Sequence, residues 1–468
     1  MTAARSQPPK SASAARELAA LLGADRVLEG DARAYGRDDS EAAGVVGRPD
    51  AVVVPTTTDE VARAVGWCYA ADVPIVPRGG GTGFAGGAVP VEGGVVLSLE
   101  RMTAVRAFDP LLWRIQVEAG VRTGTLRRLA REHGLHFPPD PGAAELSQIG
   151  GNIATNAGGP HAFKYGVTSA WVTGLEAVVP PGEVIEIGGP IRKDVAGYDL
   201  IGLLVGSEGT LGVVTAAWLR LLPVPEAALP IAGFYASIEA GCAAIEAVLG
   251  SGLQPAALEY LDAGALAAAG PAFPRPVPAG ASFAIVAEAD GGREEAERLQ
   301  QELAEVLASG ALAVESFGSP SEVVALWRWR DGVSIAVSSQ RGGKVSEDIV
   351  VPVDRLAEAV GETLAIGARH GLEACSWGHA GDGNLHSTFL VDRTDEGELD
   401  RAERAAQDLF ELAVRLGGSV SGEHGLGWTK RGQLARQWPP AALAIHDRVK
   451  RAFDPKGLMN PGKKAALD

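Results

Sequence analysis

Histidine is scarce in this chain: eight of 468 residues. Three of the eight fall in two short glycine-flanked segments. His379 and His386 bracket a turn in Trp377-Gly378-His379-Ala380-Gly381-Asp382-Gly383-Asn384-Leu385-His386, and Ser421-Gly422-Glu423-His424-Gly425-Leu426-Gly427 adds a carboxylate and a third imidazole. Gly-Asp-Gly-Asn is a hairpin signal, and the flanking residues 375–379 and 385–390 read as strands. A hairpin can bring His379 and His386 to one side, close enough to share an ion; the glycines exclude a helix. Glu423 follows a helix in a loop free to approach. Two imidazoles and one carboxylate suit Zn²⁺ and would also accept Mn²⁺ or Fe²⁺, with the remaining imidazole left as a base. A single His in a glycine turn is more often structural, but this set is much harder to explain without chemistry. Taken alone it fits a metal hydrolase as well as any other enzyme.

The totals narrow the setting. Apolar content of 46% with 21% charged residues reads as a soluble chain, long enough for two or three domains. A net charge of −16 argues against nucleic acid or anionic lipid as a partner. An anionic substrate would need local cations, and Trp327-Arg328-Trp329-Arg330 and Gly343-Lys344 are candidates. Arg328 is expected on a solvated helix face. Cys68, Cys242 and Cys375 are far apart, which points to a reduced, cytoplasmic protein with no iron–sulfur cluster of its own. No apolar run reaches the roughly 18 residues that span a bilayer. Residues 1–15 are expected to be a disordered tail rather than a transit peptide.

These residues need elements to hold them. A strand at 51–54, a helix from Thr57 to Tyr69 and a strand at 73–76 form a β-α-β unit. A strand at 113–118 and a helix at 123–133 follow. Residues 147–166 read as a loop. A hairpin is expected from 174–179 and 184–188, then a helix at 199–205 and a strand at 212–222. After Pro223-Val224-Pro225 the grammar changes to strand 230–236, helix 238–249, strands 256–261 and 282–288, helix 293–307 and strand 311–316. That order predicts a ferredoxin-like βαββαβ layer. One helix is expected over 321–338, an extended segment at 348–353, and helices at 354–370 and 397–416.

Three small-residue loops punctuate the first half. Arg78-Gly79-Gly80-Gly81-Thr82-Gly83-Phe84-Ala85-Gly86-Gly87 contains G-x-G-x-x-G, but no helix is expected after it, so the dinucleotide fingerprint is rejected. Its backbone N–H groups can still cradle phosphates. Ser147 to Gly159 is rich in Gly, Ala, Asn and Thr, and Val205 to Gly212 is a third such loop. Together they suggest a long cofactor wrapped by backbone.

With Pro138–Pro141 and Lys164-Tyr165-Gly166, these loops resemble the FAD-binding domain of the vanillyl-alcohol oxidase and p-cresol methylhydroxylase flavoproteins. The later motifs resemble their D-2-hydroxyacid dehydrogenase branch. That branch includes the FAD subunit of glycolate oxidase, D-lactate dehydrogenases and D-2-hydroxyglutarate dehydrogenase. The resemblance covers residues 45–465. It implies an α+β fold: a two-subdomain FAD-binding domain of the p-cresol methylhydroxylase type at 16–224, and a ferredoxin-like α+β cap with the metal site at 225–424. A C-terminal segment at 425–468 would return to the FAD domain.

The resemblance also assigns residues. FAD would be held by Arg78, Gly79, Gly80, Gly81, Thr82, Gly83, Gly86, Gly87, Pro141, Ser147, Ile149, Gly150, Gly151, Asn152, Ala154, Thr155, Asn156, Gly158 and Gly159. Tyr165, Gly166, Glu208, Gly212, Val213, Asn384 and Asn460 complete that set. His379, His386 and Glu423 would be metal ligands, and His424 the catalytic base. Arg330, Ser334 and Lys344 would bind the substrate carboxylate. Gly81-Thr82-Gly83-Phe84 offers no His or Cys for a covalent link, so FAD is expected to be non-covalent.

The implied reaction is oxidation of a small D-2-hydroxy acid (glycolate, D-lactate or D-2-hydroxyglutarate) to the 2-oxo acid. Electrons would leave to an external acceptor: a quinone, an electron-transfer flavoprotein, a cytochrome or an iron–sulfur subunit. The setting would be cytoplasmic or peripheral to the inner membrane face, as a homodimer or in a hetero-complex. The alternatives are an O₂-using oxidase of the same fold, a non-catalytic FAD-binding subunit, and a metal hydrolase, which leaves the glycine loops unexplained.

Overall fold

Local signals place many of the helices. Thr57 caps the helix that follows it by accepting the Glu60 N–H, with Asp59 and Glu60 in the positive first turn. Ser319 and Glu322 form a reciprocal capping box, and Asp395 accepts the N–H groups of Gly397 and Glu398. The structure is a computed structural model that describes residues 10–28, 32–40 and 44–465.

In chain order the elements begin with α1 (Lys10–Leu22), β1 (Ala51–Val53), α2 (Thr58–Ala70), β2 (Ile75–Arg78), β3 (Val95–Ser98), β4 (Val105–Asp109), β5 (Arg114–Glu118), α3 (Thr123–Glu132) and β6 (Leu135–His136). Next come α4 (Ile149–Thr155), α5 (Ala162–Tyr165), β7 (Val172–Val179), β8 (Glu183–Gly188), α6 (Leu200–Leu204), β9 (Val213–Arg220) and β10 (Leu222–Pro223). The middle of the chain supplies β11 (Ala227–Tyr235), α7 (Ile238–Gly250), β12 (Ala257–Asp262), α8 (Ala263–Ala269), β13 (Phe283–Gly291), α9 (Arg293–Leu307) and β14 (Ala313–Ser316). The rest is α10 (Pro320–Asp331), α11 (Val333–Ser339), β15 (Gly343–Val350), α12 (Leu356–Arg369), β16 (Ala374–His379), β17 (Asn384–Val391), α13 (Glu396–Arg415), α14 (Leu434–Gln437) and α15 (Pro440–Phe453).

The chain divides into two compact units. The first comprises Met1–Ala157, Val167–Val224 and Glu423–Asp468; the second comprises Gly158–Gly166 and Pro225–Gly422. In the first unit β1, β3 and β2 make a parallel sheet, with Ala51 and Ile75 both opposite Val95. Val61, Ala64, Val65 and Cys68, spaced along one face of α2, join Val53, Val95 and Leu97 in its core. A five-stranded antiparallel sheet, β4-β5-β9-β7-β8, forms the other layer. The second unit is built on one sheet in the order β14-β11-β13-β12-β16-β17-β15. Its first four strands have the ferredoxin-like arrangement, and the histidine hairpin extends that same sheet.

Several expectations need correction. The run at 147–166 is not all loop: α4 and α5 form within it. Gly150 lets α4 pack against Ala119, where an added Cβ would lie 2.7 Å from the Ala119 Cβ. The single helix expected over 321–338 is two, α10 and α11, parted at Gly332, a weak helix former. Strand β15 starts at Gly343 rather than 348, and β4 was not foreseen. Helix α1 starts at Lys10, inside the expected tail; the first nine residues of that tail lie outside the described residues.

Candidate active site

The register of the β16–β17 hairpin sets the histidine pair. Trp377 stands opposite His386, and His379 opposite Asn384. His379 and His386 are therefore diagonal neighbours on one face of the sheet. Their ring centroids lie 5.4 Å apart with the planes at 85°, and both side chains are buried. The turn is a 3₁₀ turn, Ala380–Asp382, closed by Gly383 at φ +67°. A side chain at 383 would meet the Val351 carbonyl oxygen at 2.0 Å, so the turn requires glycine there.

The row continues on either side. Glu259 on β12 stands opposite His379, and Asp348 on β15 opposite His386. Both carboxylates are fully buried. Glu259 accepts from His379 Nδ1 at 2.7 Å and from Arg330 Nε at 2.7 Å. Burial pushes the Glu259 carboxyl up, but the charges and hydrogen bonds of Arg330 and His379 outweigh it and hold it below the usual range. Asp348 accepts from Asn384 Nδ2 at 2.7 Å, Ser421 Oγ at 2.9 Å and the Gly422 N–H at 2.8 Å. Val350 and Ser419 exchange backbone hydrogen bonds. The segment 419–422 is thus pinned to β15, the strand beside the hairpin, and Glu423 follows Gly422 directly in the chain. One ring nitrogen of His379 and one of His386 lie within 4.8 Å of each other. Ligand atoms on one ion sit about 3–4 Å apart when each bond is roughly 2 Å, so the two imidazoles are spaced to share one.

Ser334 and Lys344 meet: Lys344 Nζ donates to Ser334 Oγ and lies 4.8 Å from the Trp377 ring centroid. Burial pushes the Lys344 ammonium down to about 8. Arg330, four residues before Ser334, is held on Glu259 instead. Arg328 is exposed, as expected of a solvated face. Asn384 commits its amide to Asp348 and the Ile349 carbonyl. The segment with Gly158, Gly159, Tyr165 and Gly166 belongs to the second unit, where Lys164 and the Tyr165 hydroxyl bind Asp290, and His161 pairs with Glu288 at 2.9 Å.

In the first unit the three small-residue loops converge. A Cβ on Gly79 would lie 3.2 Å from the Gly151 Cα, and one on Gly80 would lie 2.4 Å from the Leu146 carbonyl oxygen. Gly206 and Glu208 donate their N–H groups to Ile153 and Ala154 carbonyls at 2.8 and 2.7 Å. Gly81, Thr82, Gly83, Gly86 and Gly87 continue the turn after β2, and no helix follows them. Arg78 is bound to the carbonyls of Arg37 and Ala34. Ser147 and Asn152 both bond Thr123 Oγ1, Thr155 bonds the Gly151 carbonyl, and Asn156 accepts the Ser169 N–H from a left-handed cap. Ile149 is buried and Pro141 half-buried, while Gly212 and Val213 lead into β9. The Glu208 carboxylate accepts the N–H groups of Leu426 and Gly427 at 3.0 and 2.6 Å, and Asn460 Nδ2 donates to the Gly87 and Glu208 carbonyls. His424 lies 4.7 Å from Phe84, ring to ring.

Residues 49–188 match a family described as FAD binding domain, and residues 224–464 match FAD linked oxidases, C-terminal domain, which alone is more than half of the chain. The chain belongs to the FAD-linked oxidases. This FAD-linked oxidase is 38% identical over 421 residues to the glycolate oxidase subunit GlcD of Bacillus subtilis, covering 90% of each chain. It is 34% identical over 425 residues to a D-lactate dehydrogenase of Anaerostipes hadrus, covering 89% of each. It aligns with p-cresol methylhydroxylase at a TM-score of 0.80, over 98% of this chain and 97% of that one, at 19% identity, which shows a shared fold. The expected α+β architecture of that type is met.

An FAD-linked oxidase must present acceptors as well as backbone. Gln148 Oε1 and Asn460 Oδ1 are buried with no hydrogen-bond partner among the described residues. Such oxygens suit the hydroxyls and ring N–H of a flavin, so the first unit fits FAD. Sequence reasoning missed Glu259 and Asp348. Their signal was an acid inside an apolar strand, Ala257-Leu258-Glu259-Tyr260-Leu261 in the first case, because acids are almost never fully buried unless paired.

Proposed function

We propose that this FAD-linked oxidase oxidises a small D-2-hydroxy acid to its 2-oxo acid, with His379, His386 and Glu423 holding a divalent ion, Zn²⁺ before Mn²⁺ or Fe²⁺. The observation that carries the reading is the row Glu259-His379-His386-Asp348 across four strands of one sheet. It sets two imidazoles side by side, each with a buried carboxylate opposite it. Relatives named glycolate oxidase subunit and D-lactate dehydrogenase support the substrate class.

Each group has a task. Bound FAD supplies the two-electron sink, and a bound divalent ion supplies Lewis acidity that lowers the pKa of a hydroxyl. His424 takes the hydroxyl proton, since an imidazole titrates near neutral pH. Oxidation of the alcohol to the ketone removes one proton, to His424, and one hydride from Cα, for which FAD would be the acceptor. Lys344, with Ser334 beside it, holds the substrate carboxylate, and Arg330 adds a second cation. Gln148 and Asn460 offer acceptors to the flavin. With no set of cysteines to hold a cluster, electrons pass to an external acceptor.

Anaerobic mixing with D- and L-lactate, glycolate and D-2-hydroxyglutarate tests the reading. The flavin absorbance should bleach with one configuration only, and a chelator should abolish bleaching until Zn²⁺ is restored. In the same assay His424→Ala should keep FAD bound and lose bleaching by at least ~10²-fold. Bleaching indifferent to configuration and to chelator would sink the proposal.

A further inference from the structure

Glu259 touches both halves of the second unit's site. It is wholly buried, and each of its two oxygens has its own donor. Oε1 takes the His379 Nδ1 hydrogen bond at 2.7 Å. Oε2 takes Arg330 Nε at 2.7 Å and lies against Nη2 of the same guanidinium. An ionised carboxylate only accepts hydrogen bonds, so the His379 proton that faces it must sit on Nδ1. Neutral imidazole then carries its lone pair on Nε2, the form a metal ligand requires. On the other side, the same carboxylate engages the Nε–Nη2 edge of Arg330 and leaves Nη1 outside the pair.

We infer that Glu259 is a positioning residue that couples the ion to the substrate's anionic group, an inference that rests on the metal and substrate reading above. One carboxylate fixes the tautomer of a metal ligand and the direction of a substrate-binding cation. Two identical acceptors are essential to this. An amide of the same shape offers one acceptor and one N–H₂ donor, so it cannot accept from both His379 and Arg330. In Glu259→Gln one arm must break. If the amide oxygen stays with Arg330, its N–H₂ faces His379 and selects the tautomer with the proton on Nε2, which cannot ligate. If the oxygen stays with His379, Arg330 faces a donor and its fork is released.

The test uses the full chain loaded with FAD and measures Zn²⁺ affinity by competition with a chromophoric chelator, in wild type, Glu259→Gln and Glu259→Met/Arg330→Met, the last of which offers His379 no acceptor. The double variant removes the cation that the first leaves buried without its partner, so it remains informative if the single variant fails to fold. KM and kcat for D-lactate, FAD content and the thermal midpoint are read alongside. Loss of the His379 partner should weaken Zn²⁺ by about 10–100-fold, as removal of a hydrogen-bond partner of a ligating histidine does elsewhere. KM should rise with it, at unchanged FAD content. The double variant should keep the Zn²⁺ loss. Folded variants that bind Zn²⁺ as wild type does, with only KM raised, would overturn the coupling and leave Glu259 as a support for Arg330 alone. Wild type that fails to bind Zn²⁺ would instead remove the metal reading, and the inference with it.

Discussion

Lys344, proposed above to hold the substrate carboxylate, would carry both recognition and a pH signature. Burial lowers its ammonium to about 8, and Ser334 and the Trp377 ring face it. The sign follows from the direction: a lysine with a lowered pKa is cationic below that value and neutral above it. A carboxylate held by Lys344 should therefore bind well below pH 8 and lose affinity above it. KM for D-lactate should climb toward ~10-fold per pH unit above that point, while kcat holds. Lys344→Met should raise KM by about 10–100-fold at pH 7, the worth of a charge-assisted hydrogen bond, and flatten the alkaline limb. Steady-state profiles in both proteins check this; an unchanged limb in the variant would assign the titration to another group. The sequence offered Lys344 as a cation near a strand, but its desolvation depends on Trp377 and on β15 starting at Gly343.

At the scale of elements, the loop after the second unit is held at two points. Asp348 anchors it before Glu423, and Glu208 anchors it after His424 by accepting two backbone N–H groups. Glu208 itself sits at φ +55°, a left-handed conformation uncommon outside glycine, between Gly206 and Gly209. Glu208→Ala should leave the Leu426 and Gly427 N–H groups without an acceptor. A loss of about 2 kcal/mol in chemical denaturation is expected, with amide exchange accelerated selectively over 423–428. Stability lost without local exchange would contradict the anchoring role. The hairpin at 374–391 and the βαββαβ run were legible because turn chemistry and strand–helix alternation are local. The helix α4 was not, because glycines that signal a loop locally are spent here on close packing against Ala119. The role of Glu208 was also out of reach, because its partners lie more than two hundred positions along the chain.

For the whole molecule, the cofactor's attachment is the most direct question. No His or Cys stands in Gly81-Thr82-Gly83-Phe84, and the three cysteines are buried and free. Burial pushes the Cys68 and Cys242 thiols up to about 12, so neither offers a thiolate near neutral pH. Acid precipitation should release the flavin to the supernatant with its absorbance intact; colour that stays in the pellet would show a covalent bond. No helix among the described residues is long and apolar enough to cross a membrane.

The sequence by itself determined the chemistry on offer: two imidazoles around a glycine turn, a Glu-His pair, and three small-residue loops. Those are properties of residue type and short spacing, which local sterics and turn propensities fix. Only the tertiary structure decided how they are used. The register of β12 against β16 and of β15 against β17 put a buried carboxylate beside each histidine. Shifting either strand by one residue would turn that carboxylate to the opposite face, so the pairing depends on long-range ladder formation that no short window of sequence contains.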